Sequence, residues 1–299
     1  MTYSKKLVKS VVVTYNPDIK LLTRNLDSLT QQVSSVFLYD NASKNRDEII
    51  ELVKNFPTVK LFLNDENLGL PINYNRATTE AKCGGGCEWL LTMDQDSQLP
   101  NDYIECASRY FIQDDIAIIC PLERDDDITP ANESHEEACE FVERCISSGS
   151  LNRISTLEAL GGFDEKMFID MVDFDYCKTV RERGHKILRL NNCIMKHKIG
   201  RCEIISVFGK PKMIFNHSPL RRYYYFRNSI YYARKHAITF KKDKQFYMAL
   251  MKGLILILYE KNGVRKFFMG LKGLLAGFRM KLPRCYTSNS LNQERKLIS

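Results

Sequence analysis

The segment that decides the fold is WLLTMDQDSQLP, residues 89–100, in which an apolar run ends at two aspartates, Asp94 and Asp96. A short apolar run bounded by polar residues is typical of a buried strand. Two carboxylates one residue apart repel each other unless something positive neutralises them. Two interpretations fit these residues alone. Either Asp96 or Ser97 caps a following helix, or this D-x-D pair binds a divalent cation, Mg²⁺ or Mn²⁺, together with a phosphorylated ligand.

The residues before this segment repeat an alternation of strand and helix. Apolar, β-branched runs predict three further strands at 7–16, 33–41 and 58–67, and helical patterns lie between them. Four strands alternating with helices favour an α/β fold with parallel strands and helices on the faces of the sheet. Beyond residue 100 the pattern is mixed, and from about residue 218 the chain is predicted to be largely helical.

Polar side chains follow each of the four predicted strands, at 14–16, 40–41, 64–67 and 94–96. Loop residues are commonly polar, which explains each strand end by itself. Ligands of parallel α/β sheets, however, bind outside the carboxyl ends of the strands, where these residues would meet. Neither a G-x-G-x-x-G after the first strand nor a G-x-x-x-x-G-K-[ST] loop is present, which disfavours a dinucleotide-binding or P-loop domain.

Charge and cysteine content narrow the class of protein. The net charge of the 299 residues is +8, but residues 241–284 alone carry eleven Lys or Arg and two acids. The rest of the chain is therefore nearly neutral, which argues against a nucleic-acid-binding body. Ten scattered cysteines without a C-x-x-C pair, and no signal-peptide pattern, predict reduced thiols in a cytoplasmic protein. No apolar run approaches the ~20 residues of a membrane span.

Three further groups of residues suggest chemistry. FIDMVDFDYC, residues 168–177, contains Asp170, Asp173 and Asp175, which suit either the first turn of a helix or a general base. His197 is either structural or a contact to metal or phosphate. In HSPLRRYYYFRN, residues 217–228, arginines alternate with tyrosines. This pattern suits phosphate and sugar recognition, or a helix whose tyrosines pack while its arginines are solvated.

In this order, the motifs resemble family 2 inverting glycosyltransferases of the GT-A fold, within them the bacterial rhamnosyltransferase-like group. The matching stretches lie within residues 7–228 and are VVVTYNP, LYDNAS, DENLGLPINYNRA, LLTMDQDS, SSGSLNRISTLEALGGFDEKMFIDMVDFDYC, HKIG and RRYYYFRN. The resemblance implies a mixed α/β sheet flanked by helices, with a C-terminal helical extension. It also implies a catalytic domain at 1–217, divided near residue 100 into nucleotide-sugar and acceptor halves. A basic helical region at 218–285 and a flexible tail at 286–299 would follow.

The resemblance further implies a role for each matching residue. Asp173 would be the catalytic base, with Asp170 as its rival, although Val172 stands where many relatives have a glutamate. The residues expected to bind the nucleotide are Thr14, Asn16, Asp40, Asn67, Gly69, Arg76 and Asp94. The residues expected to bind the metal are Asp96, Asp94 and His197. The residues expected to contact the diphosphate or the acceptor are Arg222, Arg227, Asn228, Ser148 and Gly149.

The implied activity is the transfer of one sugar with inversion by a metal-dependent hexosyltransferase. The expected donor is dTDP-rhamnose, and the expected acceptor is a saccharide or a polyprenyl-diphosphate-linked saccharide of bacterial surface polysaccharide synthesis, O-antigen or capsule. The alternatives are a UDP- or GDP-linked donor, a nucleotidyltransferase, or an inactive sugar-nucleotide-binding partner. Processive synthases of this superfamily have Q-x-x-R-W and several membrane spans, which this sequence lacks.

The basic segment at 246–284 mixes Leu, Phe and Met with Lys and Arg. This composition is typical of amphipathic helices that lie on an anionic membrane surface, here the cytoplasmic face of the inner membrane. It equally fits a helical hairpin that packs on the catalytic domain or forms a homodimer. The sequence leaves these interpretations open.

Overall fold

The computed structural model describes residues 4–124, 137–196, 203–207 and 210–283. Strands and helices alternate in the first part of the chain, as predicted. The elements are β1 (Val8–Thr14), α1 (Ile19–Thr30), β2 (Val36–Asp40), α2 (Arg46–Val53), β3 (Val59–Leu63), α3 (Leu70–Cys83) and β4 (Trp89–Asp94). Asp18 caps α1, because its side chain accepts hydrogen bonds from the amides of Lys20 and Leu21.

The next part of the chain adds four strands and three helices. They are α4 (Tyr103–Ser108), β5 (Ile116–Arg124), β6 (Cys139–Phe141), β7 (Ser150–Arg153), α5 (Ile154–Ala159), α6 (Val172–Glu182) and β8 (Lys186–Lys196). The short strands β6 and β7 lie in a stretch that the sequence pattern did not identify as extended. A polar and acidic stretch, residues 125–136, lies outside the described residues.

All eight strands form one sheet in the order β3-β2-β1-β4-β7-β5-β8-β6. Strands β3, β2, β1 and β4 are parallel, whereas β7 is antiparallel to both β4 and β5. The predicted mixed α/β sheet flanked by helices is therefore confirmed. Because β1 to β4 are parallel neighbours, their carboxyl ends, with the polar residues that follow them, lie along one edge.

The core of the sheet explains why these residues adopt this order. Leu22, Leu26 and Leu29 are fully buried at helical spacing on α1 and pack in the same cluster as Val12 and Leu38. At the start of β4 the buried Trp89 ring stacks on Phe111 with centroids 4.8 Å apart. The apolar half of WLLTMD thus anchors β4 in the centre of the sheet, which places Asp94 at its end.

The chain divides into two compact units, the first formed by residues 1–168 and 172–198 and the second by residues 169–171 and 199–299. The second unit contains an antiparallel hairpin of β9 (Glu203–Val207) and β10 (Lys210–Ile214), followed by α7 (Pro219–Lys235), α8 (Lys244–Leu256) and α9 (Gly263–Arg279). Its core consists of Phe226, Ile230, Leu250, Leu254 and Ile257. The domain boundary at residue 217 stays a prediction.

Candidate active site

The ends of β1 and β2 are joined by a buried hydrogen bond between two predicted nucleotide-binding residues. Thr14 Oγ1 donates to Asp40 Oδ1 at 3.1 Å, and both residues are fully buried. Asp40 Oδ2 accepts from the Ser43 amide at 3.1 Å and from Arg46 Nε at 3.3 Å. Because donors hold both carboxylate oxygens, the position of Asp40 is fixed before any ligand binds.

Asn16 connects the loops that follow β1 and β2. Its backbone is in the left-handed region, with φ of 49°, which Asn tolerates better than most residues. Its amide donates to Ser43 Oγ at 2.8 Å, and its Oδ1 accepts from the Lys44 amide at 2.8 Å. Asn16 therefore lies beside Asp40 through their shared neighbour Ser43.

Three buried asparagines connect the ends of β2 and β3 to α3. Asn41 Oδ1 accepts from Asn64 Nδ2 at 3.0 Å and from Asn73 Nδ2 at 2.9 Å, while Asn64 Nδ2 also donates to Asn73 Oδ1 at 2.9 Å. Asn73 Nδ2 and Asn41 Nδ2 both donate to the carbonyl of Gly69. We call these three residues the asparagine cluster. Sequence reasoning identified Asn41 and Asn64 only as strand ends and missed Asn73, since a polar residue in a helix usually faces solvent.

The loop between β3 and α3 contains the other predicted nucleotide-binding residues. Gly69 has φ of +79°, and a Cβ there would lie 2.4 Å from the carbonyl oxygen of Phe168, so only glycine fits. Asn67 Oδ1 accepts from the Gly69 amide at 3.0 Å. Arg76 Nη1 donates to Asn64 Oδ1 at 3.0 Å. The asparagine cluster thus holds together the loop to which Asn67 and Gly69 belong.

Arg76 also lines an open cavity of about 540 Å³ between α3 and the ends of β2 and β3. Its wall includes Tyr39 and Phe62, whose rings stack with centroids 4.5 Å apart. Burial raises the pKa of Tyr39 to about 12, so its phenol stays protonated at neutral pH. The volume lies within the range of small-ligand sites. Sequence reasoning missed the two aromatic residues, because alternating aromatics in strands are ordinary core residues.

The carboxyl end of β4 carries half-buried Asp94 and exposed Asp96. The Asp94 amide donates to Ser148 Oγ at 3.2 Å. Asn25 Nδ2 donates to the carbonyls of Asp94 and Ser97, at 2.9 and 2.6 Å. The helix-cap interpretation was wrong, because α4 begins only at Tyr103 with Asp102 as its N-cap residue. Ser97 therefore starts no helix, and its segment is bound to α1 instead.

The donors at this strand end fit a divalent cation only in part. Carboxylates are suitable ligands for Mg²⁺ or Mn²⁺, and Mg²⁺ commonly takes one or two of them while phosphate and water complete its shell. Within the described ranges, no group of three or more His, Cys, Asp or Glu could hold a metal ion. His197, the third predicted ligand, lies outside the described residues. Asp94 and Asp96 thus suit an ion shared with a diphosphate, rather than one held by protein alone.

Asp173 lies in the first turn of α6, where its Oδ1 accepts from the Phe174 amide at 2.9 Å. It lines a small cavity with Thr92 of β4 and Asn152 of β7, which places it beside the strand that ends in Asp94. The charges of Asp94 and Asp173 both affect the pKa of Tyr74, a fully buried residue of α3. Burial raises the pKa of Tyr74 well above its usual range, and the charges of Asp94 and Asp173 raise it further.

The rival base, Asp170, has a different environment in the second unit. Its backbone φ is 62°, and its carboxylate pairs with Arg221, whose Nε and Nη2 lie 3.1 Å from Oδ1. Asn228 Nδ2 donates to the carbonyls of Ile169 and Asp170, at 2.7 and 2.9 Å. Burial raises the pKa of Asp170, and the Arg221 guanidinium opposes that shift. Asn228, predicted to contact diphosphate or acceptor, is fully buried and holds this bend.

The two predicted phosphate-binding arginines have partners within the second unit. Arg222 pairs with Glu260, which also accepts from Lys266 Nζ at 3.0 Å. Arg227 Nε donates to Asn228 Oδ1 at 2.9 Å, and its guanidinium lies 4.6 Å from the Tyr224 ring centroid. Their contact with diphosphate or acceptor stays a prediction.

His217, just before α7, lies among several cations. Burial, together with neighbouring positive charges, lowers its pKa to about 3. These charges are carried by Arg221, Arg222 and Lys266. The imidazole is therefore neutral at physiological pH.

Ser148 and Gly149, also predicted to contact diphosphate or acceptor, lie behind the end of β4. Ser148 is buried, and its hydroxyl accepts from the Asp94 amide. Gly149 has φ of +80°, its amide donates to the Thr92 carbonyl at 2.9 Å, and a Cβ there would lie 2.8 Å from Pro121 Cγ. In the structure both residues position β4, and their predicted ligand contacts remain untested.

Two solved structures share the fold of this chain. The mannosyltransferase PcManGT from Pyrobaculum calidifontis, solved with GDP-Man and Mn²⁺, superposes with a TM-score of 0.58 at 15% identity over 97% of this chain and 80% of that one. TarS 1–349 of S. aureus, solved with UDP, gives a TM-score of 0.54 at 16% identity over 96% of this chain and 77% of that one. The GT-A fold predicted from the sequence is confirmed.

The sequence comparison defines the family more narrowly. The family model for glycosyl transferase family 2 matches residues 10–177, more than half of the chain, so the protein belongs to this family. It is 27% identical over 298 residues to the dTDP-rhamnosyl transferase RfbF of Shigella flexneri, covering 91% of this chain and 95% of that protein. The resemblance to family 2 glycosyltransferases is thereby confirmed.

Proposed function

We propose that the protein transfers L-rhamnose from dTDP-rhamnose, with inversion, to a saccharide or lipid-linked saccharide acceptor. The observation that carries the proposal is the placement of Asp173 beside Thr92 of β4, the strand that ends in Asp94 next to the strand ends that hold Asp40. Such an edge is where α/β sheets bind their ligands. The similarity to the dTDP-rhamnosyl transferase of Shigella flexneri supports the choice of donor.

In this proposal the nucleoside binds where β1, β2 and β3 end. Asp40, fixed by Thr14 and Arg46, supplies acceptor oxygens, and Arg76 at the mouth of its cavity supplies donors and positive charge. Asn16, Asn67 and Gly69 shape the loops around them. These polar groups are held in place before the ligand binds. Preorganisation favours binding, because the residues then lose little conformational entropy on binding.

Asp94 and Asp96 would hold Mg²⁺ or Mn²⁺ against the diphosphate. The bound cation would neutralise charge on the leaving nucleoside diphosphate. Two structures of similar fold, PcManGT and GalNAc-T7, were solved with Mn²⁺, which supports this assignment. Exposed Asp96 would be the direct ligand, and Asp94, fixed through its backbone by Ser148 and Asn25, would lie between ion and ribose.

Asp173 would act as the general base. In an inverting transfer, the acceptor hydroxyl attacks the anomeric carbon from the face opposite the leaving group, and the base removes the hydroxyl proton. Asp173 suits this role because it lines a cavity with Thr92 of β4, the strand that ends in Asp94, whereas Asp170 pairs with Arg221 in the second unit. No covalent intermediate between sugar and enzyme is needed.

The test uses the purified full-length chain with dTDP-rhamnose and Mn²⁺. The rate of dTDP release is measured with and without saccharide acceptors. Asp173→Asn should lower turnover by about 10²–10⁴-fold, since it removes a general base, while dTDP affinity stays near wild type. The matched variant Asp170→Asn should retain turnover. Turnover retained by Asp173→Asn and lost by Asp170→Asn would assign the base to Asp170 instead.

The metal assignment has its own measurement. Asp96→Ala should weaken dTDP binding in Mn²⁺ to the level that wild type shows in a chelator. Binding that is indifferent to the chelator would refute a shared metal. Tighter binding of UDP- or GDP-linked sugars than of dTDP-rhamnose would refute the donor while leaving the transferase assignment intact.

A further inference from the structure

Helix α9 packs on α7 through its smallest residues. Gly270, Gly273 and Gly277 are buried. A Cβ on Gly273 would lie 2.3 Å from the Tyr223 carbonyl oxygen, and one on Gly277 would lie 2.4 Å from the Arg227 carbonyl oxygen. The two backbones therefore approach so closely that only glycine fits between them. The inward face of α9 thus lies close to α7 at its glycines, while Phe267, Leu271 and Leu274 pack against the core of the second unit.

Four other apolar side chains of α9 lie on the opposite face, where they are exposed. Residues spaced by three, four or seven positions share one face of a helix. The residues of this outward face and their exposed fractions are Val264 65%, Phe268 63%, Leu275 60% and Phe278 59%. Helix α9 therefore has apolar side chains on both faces, whereas a surface helix normally turns its one apolar face to the core.

Helix α8 repeats this feature. Leu250 and Leu254 face the core, while Met248, Met251 and Ile255 are 43%, 48% and 54% exposed at spacings of three and four residues. The turn that follows exposes Leu258 to 46%. We call the exposed apolar side chains of α8, this turn and α9 the outer apolar face. Contiguous exposed apolar surface marks a site of interaction with a protein or a membrane.

Cations flank the outer apolar face along α9. Arg265, Lys272 and Arg279 recur every seven residues along α9, next to the apolar stripe, and are exposed. The only carboxylate in residues 244–284 is Glu260. It is buried between Arg222 and Lys266, so it does not offset the exposed cations. The chemistry of this face is therefore apolar and positive.

We propose that the outer apolar face binds the surface of a bilayer that contains anionic phospholipids. Apolar side chains would enter the boundary between headgroups and acyl chains, and the row of cations would contact lipid phosphates. In the described part of the chain no helix is long and apolar enough to cross a membrane, so the helices would lie along the surface. A second copy fits less well, because a two-fold interface brings the same basic face together twice.

The test is flotation of the full-length protein with vesicles of phosphatidylcholine alone or mixed with phosphatidylglycerol. The protein should float with the mixed vesicles, remain unbound with the neutral ones, and be released by added NaCl. Phe268→Ser with Phe278→Ser should weaken binding by at least about tenfold, the effect of losing 1.4 kcal/mol of apolar burial. Ile112→Ser is the matched control, since Ile112 is 87% exposed in the first unit, and its flotation should equal wild type.

A second variant keeps the test informative if the double Phe variant fails to fold by circular dichroism. Arg265→Gln with Lys272→Gln should fold and bind mixed vesicles more weakly, with less sensitivity to salt. Absence of flotation by wild type, or equal flotation with neutral vesicles, would overturn the proposal. A wild-type dimer that does not float and that Phe268→Ser with Phe278→Ser converts to monomer would identify the face as an interface between copies instead.

Discussion

Replacement of Asn73 tests whether the asparagine cluster holds the nucleotide edge together. Asn73 is fully buried, and its Nδ2 donates to Asn41 Oδ1 at 2.9 Å and to the Gly69 carbonyl at 2.7 Å. Its Oδ1 accepts from Asn64 Nδ2 at 2.9 Å. Aspartate has nearly the same shape as asparagine but has an oxygen where Nδ2 stands. That oxygen would face two acceptors at hydrogen-bond distance.

Asn73→Asp should therefore lower the free energy of unfolding more than Asn73→Ala does, although aspartate resembles asparagine more closely in shape. Asn73→Ala loses three buried hydrogen bonds, each worth about 1 kcal/mol, so the free energy of unfolding should fall by about 2–3 kcal/mol. The lower value reflects that Asn41 and Asn64 still bond to each other. Asn73→Asp, although larger and closer in shape, should cost more at pH 7, about 4 kcal/mol, because it buries a charge against two oxygens.

The aspartate variant should also acquire a pH dependence that the alanine variant lacks. Burial among acceptors raises the pKa of the new carboxyl group in the folded state above its unfolded value of about 3.9. The folded state then binds more protons than the unfolded state, so the stability of Asn73→Asp falls as pH rises. The difference in free energy of unfolding between Asn73→Asp and Asn73→Ala should therefore become smaller as the pH is lowered from 8 to 5.

Urea unfolding followed by circular dichroism measures both effects, and titration with dTDP measures the consequence for the site. Both variants should bind dTDP more weakly, since Gly69 loses a donor that fixes its loop. The matched control is Asn55→Ala, because exposed Asn55 makes one 3.3 Å bond to the Leu52 carbonyl and should matter by less than about 0.5 kcal/mol. An aspartate variant as stable as the alanine variant at pH 8 would refute the assigned donors.

Two further predictions concern the second unit. Gly273→Ala should destabilise it by at least about 2 kcal/mol, since the added Cβ would lie 2.3 Å from a carbonyl oxygen of α7. Gly253→Ala, whose added Cβ would have no atom within 4 Å, should stabilise it by about 0.5–1 kcal/mol. Thermal melts measure both effects. Equal effects would contradict the close packing of α7 and α9. His217, whose pKa is about 3 in the folded protein, takes up a proton near pH 6.5 on unfolding, so stability should fall as pH drops from 6.5 toward 3. Melting temperatures of His217→Gln should decline less over this range than those of wild type, and parallel declines would refute the assignment.

Sequence periodicity was sufficient to predict strands β1 to β4 and the helices between them, because these strands are apolar and these helices are amphipathic. It failed at β7, Ser150–Arg153, in which Ser150 and Asn152 are polar although buried. Asn152 Nδ2 donates to the carbonyls of Leu90 and Ser150, and Thr92 Oγ1 bonds to the Ser150 carbonyl. These partners lie in β4, about sixty residues earlier, or in β7 itself. A local pattern cannot reveal a strand whose polar side chains are satisfied by a distant one.

The same limit applies to the candidate site, where residue types were predictable and their partners were not. Arginine and asparagine in RRYYYFRN suggested contacts with phosphate or sugar, yet Arg222 pairs with Glu260 and Asn228 holds the carbonyls of residues 169 and 170. Both partners come from elsewhere in the chain. A motif therefore indicates which interactions a side chain can make. Its burial and its neighbours in the fold determine which of these interactions it does make.

The residues at the end of β4 illustrate what the structure adds to such a motif. The sequence left two explanations for Asp94 and Asp96, a helix cap and a metal site. The cap fails because Asn25 holds the carbonyls of Asp94 and Ser97, and the Leu99 amide donates to Ser28 Oγ, so the segment follows α1 and no helix begins until Tyr103. A helix that starts seven residues after Asp96 cannot stabilise its charge, because the dipole acts only within the first turn. The cation shared with a diphosphate stays a prediction, and dTDP binding by Asp96→Ala in Mn²⁺ and in a chelator tests it.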